Sequence, residues 1–231
     1  MSEMQTGRLY IVATPIGNLD DITLRALKVL KEADAIICEE MRVGTSLLKK
    51  LGVEPKEIIL LNEHNEDDQA TQIAARLVQG QVMALISDTG TPVFADPGSL
   101  LISVAAGFGI QVIPVPGANS LIAALSVLDF KLEQFVFGGF LPREAEQRRQ
   151  ELTRLRSMHM PVVLMDTPYR LGPLLEDVAR IFGPGQAVTV ACDLTQSGEK
   201  IYRGSAAGVR KQIGPRKAEF VLIIHGQPKF R

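Results

Sequence analysis

Short runs of consecutive apolar residues alternate with segments in which apolar residues recur every three or four positions. The short runs are typical of buried strands, and the periodic segments are typical of helices with one apolar face. In the first half the predicted strands are residues 9–13, 35–38, 58–61, 82–86 and 111–115. The helices predicted there are residues 23–32, 46–51, 67–79 and 100–108.

The second half continues the alternation with a different order of elements. Its predicted strands are residues 135–138, 161–165, 187–191, 200–203 and 220–225. Its predicted helices are residues 119–128, 144–157, 171–182 and 206–213. Two of these strands lie close together around Ser197 and Gly198, which indicates a hairpin and therefore a mixed sheet.

The pattern predicts the α/β fold class with two α/β domains. In residues 1–115 strands alternate with helices, which is typical of a mostly parallel sheet with helices on both faces. Residues 116–231 are expected to form the second domain, around the mixed sheet. The chain shows no internal repeat and no low-complexity linker.

The first predicted helix illustrates the expected core. Leu24, Leu27 and Leu30 recur every three residues and are interpreted as a buried stripe. Asp20 or Asp21 is the expected cap near the start of this helix, because a side-chain oxygen there can accept a backbone N–H.

Composition narrows the class of protein. The chain has 231 residues, is 46% hydrophobic and carries a net charge of −1, which excludes a broadly basic nucleic-acid binder but allows a local basic patch. Cys38 and Cys192 lie in apolar runs, far apart in sequence, and are interpreted as reduced core residues. No secretory start and no apolar run of about 18 residues occurs. We therefore expect a soluble cytoplasmic protein.

Three turns rich in glycine, proline and small polar residues each follow a predicted strand. They are residues 14–21, 87–98 and 114–120. In an open parallel sheet the ligand crevice lies outside the carboxyl ends of the strands, so these turns are expected to meet at one cleft. Each turn alone is more simply an ordinary connection. Three long ones together favour a ligand site.

Other signatures of chemistry are missing. The sequence has no Gly-x-Gly-x-x-Gly after its first strand, no phosphate-binding loop and no nucleophile elbow. The triplet 107–109 precedes a strand and is interpreted as a helix stop. His64, His159 and His225 are scattered without ligand-spaced partners, so no metal is expected.

Several motifs together carry a family resemblance. They are residues 9–27, 62–66, 86–92, 96–98, 114–120 and 139–142. The first of these motifs, which contains Thr-Pro-Ile-Gly-Asn-Leu-Asp-Asp at 14–21, is long and specific. The chain resembles the 2′-O-ribose cytidine methyltransferases of 16S ribosomal RNA, which belong to the tetrapyrrole-methylase superfamily of S-adenosylmethionine-dependent enzymes. The resemblance covers nearly the whole chain.

The resemblance implies two α/β domains with the methyl donor, S-adenosyl-L-methionine, in the cleft between them. Residues 1–115 would form part of the cleft and the substrate side, and residues 116–231 would bind the donor. It further implies a homodimer acting on ribosomal RNA or the small ribosomal subunit. Carried onto this sequence, the donor-binding residues are Pro15, Asp88, Thr91, Asn119, Ser120, Met165 and Leu194.

A ribose hydroxyl is a poor nucleophile at neutral pH, so a base or hydrogen-bond acceptor is expected near it. The candidates at predicted strand ends are Glu39, Glu40, His64 and Asp166, of which Glu39 and His64 are preferred as catalytic residues. The expected substrate-binding residues are Arg42, Asn65 and Arg170. For Arg170 the expected contact is a phosphate, because arginine suits bidentate phosphate binding.

Each of these roles has a structural alternative. Glu39 can pair with Arg42, three residues later. His64 can be an exposed loop residue, Asp88 can cap its own turn, and Arg170 can be a surface charge at a helix start. The arginine-rich helix around 143–156 also contains glutamates, so a solvated helix face is the preferred interpretation there.

The sequence departs from the family pattern on the acceptor side. Cys-Glu-Asp-Thr-Arg is replaced by residues 38–42, Glu-Ala-Pro-His-Arg by 166–170, and Arg-Glu-Leu-Thr-Lys by 192–196. The small C-terminal helical domain of larger members is also expected to be absent. Methyl transfer is therefore more firmly indicated than the RNA substrate.

Two other functions stay open. The first is methylation of a small, tetrapyrrole-like molecule, although the Gly-x-Gly-x-Gly-Asp first turn typical of such enzymes is missing. The second is a dimer that binds the donor without catalysis, which the changes at Met41, Tyr169 and Gln196 would fit.

Overall fold

A computed structural model describes residues 7–94 and 96–226. The chain divides into two compact units, Met1–Asn119 and Ser120–Arg231. This division lies four residues after the 115/116 boundary expected from the sequence. Within the described residues, no helix has the length and apolar character needed to cross a membrane.

The first unit is a five-stranded parallel sheet with helices on both faces. Its strands are β1 (Arg8–Val12), β2 (Ala35–Cys38), β3 (Glu57–Leu60), β4 (Val82–Ile86) and β5 (Gln111–Val115). Its helices are α1 (Leu24–Glu32), α2 (Met41–Lys50), α3 (Glu66–Val78) and α4 (Ser99–Gly107). The strand order is β3-β2-β4-β1-β5, with every neighbouring pair parallel, so the predicted parallel sheet is confirmed.

Alternating strand residues feed two apolar cores in this unit. Leu9 of β1 packs on one side with buried residues of α3 and α4, including Ile73 and Leu101. Val12 of the same strand packs on the other side with Leu30 of α1 and Leu48 of α2. This two-sided burial explains why the strands read as continuous apolar runs rather than alternating ones.

The start of α1 differs from the prediction. Thr23 is the N-cap and accepts the backbone N–H of Ala26 at 3.1 Å, while Asp20 and Asp21 lie in a preceding 3-10 helix. The predicted leucine stripe is also wrong at Leu24, which is 86% exposed. Steps of three residues rotate by about 60° from the previous position on a helix, so the stripe drifts off the buried face.

Helix α2 begins at Met41, five residues before the segment 46–51 that the sequence predicts to be part of a helix. Its first turn contains Gly44 and Thr45, two residue types with low helix propensity, so the sequence pattern does not mark it. The turn is nevertheless helical because it packs against the sheet, where Gly44 is buried beside Cys38.

The second unit is a mixed sheet in the order β6-β7-β10-β8-β9. Its strands are β6 (Val136–Phe140), β7 (Val162–Asp166), β8 (Ala187–Cys192), β9 (Lys200–Ser205) and β10 (Phe220–Ile224). Its helices are α5 (Ser120–Ser126), α6 (Ala145–Ser157), α7 (Leu171–Phe182) and α8 (Ala206–Ile213). Strands β6 and β7 are parallel and the other neighbours antiparallel, including the hairpin β8–β9, so the predicted mixed sheet is confirmed.

The arginine-rich helix α6 is only partly the solvated face that the sequence favours. Arg149 and Arg154 form surface pairs with glutamates three residues earlier. Arg148, in contrast, is buried and its guanidinium donates to Asp177 of α7 at 2.7–2.8 Å. A buried charge needs such a partner, and only the packing of α6 on α7 supplies it.

The two cysteines are free and buried, as predicted. Burial is the main reason that the pKa of each thiol is raised to about 11. Both thiols therefore stay protonated at neutral pH and act as core side chains.

Candidate functional site

The carboxyl ends of three neighbouring strands lie side by side in the first unit. Val12 at the end of β1 is in register with Ile86 at the end of β4 and with Val115 at the end of β5. The turns 14–21, 87–98 and 114–120 therefore leave the sheet from one edge, which is the usual ligand edge of an open parallel sheet.

Hydrogen bonds join the first of these turns to the second. The backbone N–H of Thr14 donates to the carbonyl of Gly90 at 2.8 Å, and its buried hydroxyl donates to the carbonyl of Ser87 at 3.1 Å. Gly90 has a φ of +82°, and a Cβ added there would lie 3.1 Å from Ile16. The second turn thus needs glycine both for its conformation and for its contact with the first.

The third turn is bound to the second in a similar way. The Thr91 hydroxyl donates to the carbonyl of Ala118 at 3.2 Å and accepts from the Asn119 side-chain amide at 3.3 Å. Gly117 lies so close to the first turn that an added Cβ would be 3.0 Å from the Cβ of Ala13. The three turns therefore meet, as the sequence predicts, and they bring Pro15, Asp88, Thr91 and Asn119 to one edge.

The second turn holds a conformational outlier that the sequence does not reveal. Val93 has a φ of +71°, which is rare for any residue with a Cβ and rarer still for a β-branched one. Such strain persists only where surrounding contacts hold the backbone, and it concentrates at functional sites.

Asp88 lies at this edge with one carboxylate oxygen in an unusual setting. Its Oδ1 is buried, and no residue in the described part of the chain forms a hydrogen bond with it. Burial raises the pKa of Asp88, and the nearby carboxylates of Glu40 and Asp96 raise it further. The site therefore disfavours the charged carboxylate unless a positive group lies beside it.

Glu39 follows β2, the strand next to β4, and belongs to the same group of carboxylates. Its pKa is raised by partial burial and then by Asp88, Asp96 and further acidic neighbours. Across the described residues, no ion pair connects Glu39 with Arg42, which is exposed at the start of α2. No group of metal-ligating side chains occurs in the described part of the chain.

His64 and Asn65 follow β3 at the same end of the sheet. The His64 side chain is 84% exposed and lies 3.5 Å from a Glu63 carboxylate oxygen. The Asn65 side chain accepts the backbone N–H of Asn62 at 2.8 Å and donates to the carbonyl of Leu60 at 3.2 Å. Asn65 therefore braces its own turn, whereas the His64 ring extends into solvent.

In the second unit, three more predicted donor-binding residues come together. Phe220 at the start of β10 pairs with Asp166 and Cys192, so Met165 and Leu194 lie at the same end of the sheet. Both pack against the apolar cluster between the sheet and α5. Ser120 is the first residue of α5.

Arg170 and Asp166 form a mostly buried ion pair, with 3.2 Å between a guanidinium nitrogen and the carboxylate Oδ1. Arg170 also donates to the carbonyls of Leu141 and Pro142, at 3.1 and 2.6 Å. The Arg170 Nε and Asp166 Oδ2 are buried, and neither forms a hydrogen bond within residues 7–94 and 96–226. Burial raises the pKa of Asp166 in spite of the arginine. These bonds give Arg170 a structural role that its sequence position does not reveal.

Comparison with known proteins identifies the protein family of this chain. A profile of the tetrapyrrole (corrin/porphyrin) methylases matches residues 8–209. A protein of Xylella fastidiosa (strain Temecula1 / ATCC 700964), named ribosomal RNA small subunit methyltransferase I, is 41% identical over 95% of this chain and 82% of its own length. The protein of that name in Escherichia coli O157:H7 is 38% identical over 95% and 78%.

A solved structure of similar fold is the uroporphyrin-III C-methyltransferase of Thermus thermophilus complexed with S-adenyl homocysteine. It is 16% identical, with a TM-score of 0.64 over 95% of this chain and 97% of that one. At this identity the likeness concerns the fold, and it confirms the predicted fold class. The relatives at about 40% identity confirm the predicted resemblance and the methyltransferase class. On the profile match and these relatives, the chain belongs to the tetrapyrrole (corrin/porphyrin) methylase family.

Proposed function

We propose that this protein transfers a methyl group from S-adenosylmethionine to ribosomal RNA of the small subunit, at the 2′-hydroxyl of a cytidine ribose. The observation that carries the proposal is the bonded meeting of the turns 14–21, 87–98 and 114–120, in a chain whose relatives are named for small-subunit RNA methylation. The assignment of a ribose hydroxyl as the acceptor, and of cytidine as its nucleotide, is supported by the motif resemblance alone.

The residues at the two sheet ends fit the chemistry of this donor. S-adenosylmethionine supplies a methyl group already activated on a positively charged sulfonium. A positive charge next to Asp88 would favour the ionised form of its carboxylate, which burial otherwise disfavours. Together with Pro15, Thr91 and Asn119 in the first unit, Ser120, Met165 and Leu194 in the second are the proposed donor-binding residues.

Glu39 is the proposed proton acceptor. As the ribose oxygen bonds to the methyl carbon and the carbon–sulfur bond breaks, the hydroxyl proton moves to the Glu39 carboxylate. A base is most effective when its pKa lies near the working pH, and the surroundings of Glu39 raise its pKa in that direction. His64 is the second candidate, because its exposed ring lies at the same end of the sheet.

The proposed RNA contacts are Arg42, Asn65 and Arg170. Arg42 has an exposed side chain at the start of α2, three residues after Glu39. Its guanidinium is suited to binding a phosphate group of the RNA. Asn65 and Arg170 already form several hydrogen bonds within the protein, so we propose that they contribute by bracing the loops around the acceptor.

We further propose that the protein works as a cytoplasmic homodimer. Large apolar side chains that are more than half exposed, such as Leu24 and Phe108 in the first unit and Phe140 in the second, are candidates for its interface. Light scattering of the purified protein would measure its mass, and a monomer at micromolar concentration would contradict the dimer.

The experiment that tests the activity uses labelled S-adenosylmethionine and small ribosomal subunits from a strain lacking this protein. Subunits from the parent strain are the control, because their target site is already methylated. We expect label in the first subunits, none in the second, and a single 2′-O-methylated cytidine by mass spectrometry. Labelling of free uroporphyrinoids, or of neither acceptor, would overturn the proposal.

A further inference from the structure

The turn between β8 and β9 is strained on both sides of Leu194. Asp193 has a φ of +48° and Thr195 a φ of +64°, although neither is a glycine. Residues with a Cβ avoid this left-handed region, and adopt it stably only when other contacts hold them there. Aspartate tolerates the left-handed region better than most residues, so the β-branched Thr195 is the more strained of the two.

An ion pair holds the first of these residues. The Asp193 Oδ2 accepts from Arg216 at 2.6 Å, and its Oδ1 accepts the backbone N–H of Glu219 at 3.0 Å. Arg216 also donates to the carbonyl of Gly198 and, at 3.2 Å, to the hydroxyl of Tyr202. One guanidinium therefore ties the turn to β9 and to the segment before β10.

The second strained residue is held separately. The backbone N–H of Thr195 donates to the carboxylate of Glu199 at 2.7 Å, and the carbonyl of Asp193 accepts from Gln196 at 3.0 Å. Backbone hydrogen bonds therefore hold Asp193, Thr195 and Gln196, the residues on either side of Leu194.

Leu194 is anchored by its side chain and not by its backbone. The side chain packs with Met165 on the apolar cluster beneath α5. The residue is half-buried, yet its N–H and C=O form no hydrogen bond with any described residue. This N–H donor and this C=O acceptor lie side by side in the turn without a partner among the described residues, so they are suited to a ligand with one acceptor and one donor. The edge of an adenine ring offers both.

We propose that Asp193 and Arg216 are positioning residues for the methyl donor. They hold the strained turn in the conformation that presents the Leu194 backbone to the adenine of S-adenosylmethionine. The inference rests on the proposed function, because it takes this nucleoside as the ligand. It assigns a role to two side chains of which neither was a predicted site residue.

The test measures the binding of S-adenosylhomocysteine by calorimetry to the unaltered protein and to the Arg216→Ala variant. We expect the dissociation constant to rise by roughly tenfold or more. The KM for S-adenosylmethionine should rise in parallel, while kcat at saturating donor changes less than about twofold, because the pair acts on binding and not on the reacting atoms.

Two further variants separate positioning from a general loss of stability. Arg216→Lys keeps a cation for Asp193 and should recover part of the affinity. Thr195→Gly in the Arg216→Ala background should recover part of it too, because glycine adopts the left-handed conformation without strain. The control is Arg154→Ala, which removes an ion pair with Glu151 inside helix α6 and should leave affinity unchanged.

The outcomes distinguish this inference from the proposed function. If the unaltered protein does not bind S-adenosylhomocysteine, the proposed function fails and the inference with it. If the unaltered protein binds and Arg216→Ala binds equally well, the positioning role alone is overturned. Lost affinity that follows the melting temperature across all variants, with no recovery by Arg216→Lys or Thr195→Gly, also overturns it.

Discussion

Asp88 and Glu39 lie near the ends of β4 and β2, where burial, their mutual repulsion and the carboxylates of Glu40 and Asp96 raise the pKa of both. Such crowding lowers the stability of the protein without ligand. Under the proposed function, the sulfonium of the bound donor would relieve this repulsion. The stability of the free protein and the binding of the donor would then oppose each other at these residues.

The first prediction concerns Asp88→Asn. Since the folded-state pKa of Asp88 is raised, ionisation at pH 7 opposes folding, and the amide should stabilise the free protein by about 0.5 kcal/mol, discounted for partial exposure. The gain should disappear as the pH falls below the ordinary range of an aspartate, where the parent carboxyl is protonated. Thermal melts at pH 7 and pH 3.5 measure both effects, and an Asn variant less stable than the parent at pH 7 would contradict the repulsion.

The second prediction concerns Glu39→Gln. If Glu39 accepts the ribose proton, kcat should fall by roughly 10²- to 10⁴-fold with little change in the KM for S-adenosylmethionine. In the parent enzyme, activity should decline on the acid side as Glu39 protonates, at a pH above the usual glutamate range because its pKa is raised. This decline should be lost in the variant. An unchanged acid limb in Glu39→Gln would assign the base elsewhere, and His64→Gln is then the variant to compare.

At the scale of elements, helix α6 shows how packing changes the meaning of a charged segment. The helix has the composition of a solvated face, and Arg149 and Arg154 pair with glutamates at the surface. Arg148 differs, because it is buried and pairs with Asp177 of α7. The sequence does not distinguish Arg148 from the other arginines of α6, but the packing of the folded chain buries its charge.

The third prediction tests this difference. Asp177→Ala leaves the Arg148 guanidinium buried without its main partner, and should lower the free energy of unfolding by about 3–5 kcal/mol. Glu176→Ala, at the next position of α7, removes only the more exposed pair with Arg210 and should cost about 0–1 kcal/mol. Urea unfolding of the two variants measures both values. Equal losses would mean that burial of the Arg148 pair does not decide its contribution.

At the scale of the whole molecule, the proposed donor-binding residues belong to two separate sheets. Four of them lie on the turns of a parallel sheet, and three lie around α5 and the end of a mixed sheet. A ligand that binds residues of both units must stabilise the folded form of both, whatever the strength of each single contact.

The fourth prediction follows from this linkage. S-adenosylhomocysteine at about 100 times its dissociation constant should stabilise the folded protein by about 2.7 kcal/mol. A thermal melt should therefore rise by several degrees and continue to rise with ligand concentration. Adenosine alone, at the same multiple of its own dissociation constant, should give the same shift. The protein could methylate its acceptor while its melting temperature stays independent of ligand concentration. That result would contradict the prediction that the ligand binds the native state and not the unfolded chain.

Most of the fold could be predicted from the sequence because burial leaves a local pattern. The strands of the first unit are continuous apolar runs since both faces are covered, and the meeting of their turns follows from parallel pairing. Leu24 and the start of α2 were missed because a helix face or a first turn is selected by what packs against it. The residues that pack against these positions lie in other parts of the chain, so a local pattern does not reveal them.

The candidate site also has features that the local sequence predicts and features that only packing decides. The sequence alone determined the family, the methyltransferase class and the turns to examine, because motif residues are adjacent in the chain and the backbone near a ligand demands particular residue types. Only the tertiary structure decided which side chains are free to act. Arg170 proved to be bonded to two carbonyls, and Arg216 proved to hold the turn at Leu194. The physical reason is that hydrogen bonds and burial depend on distances between residues far apart in sequence, which no local pattern records.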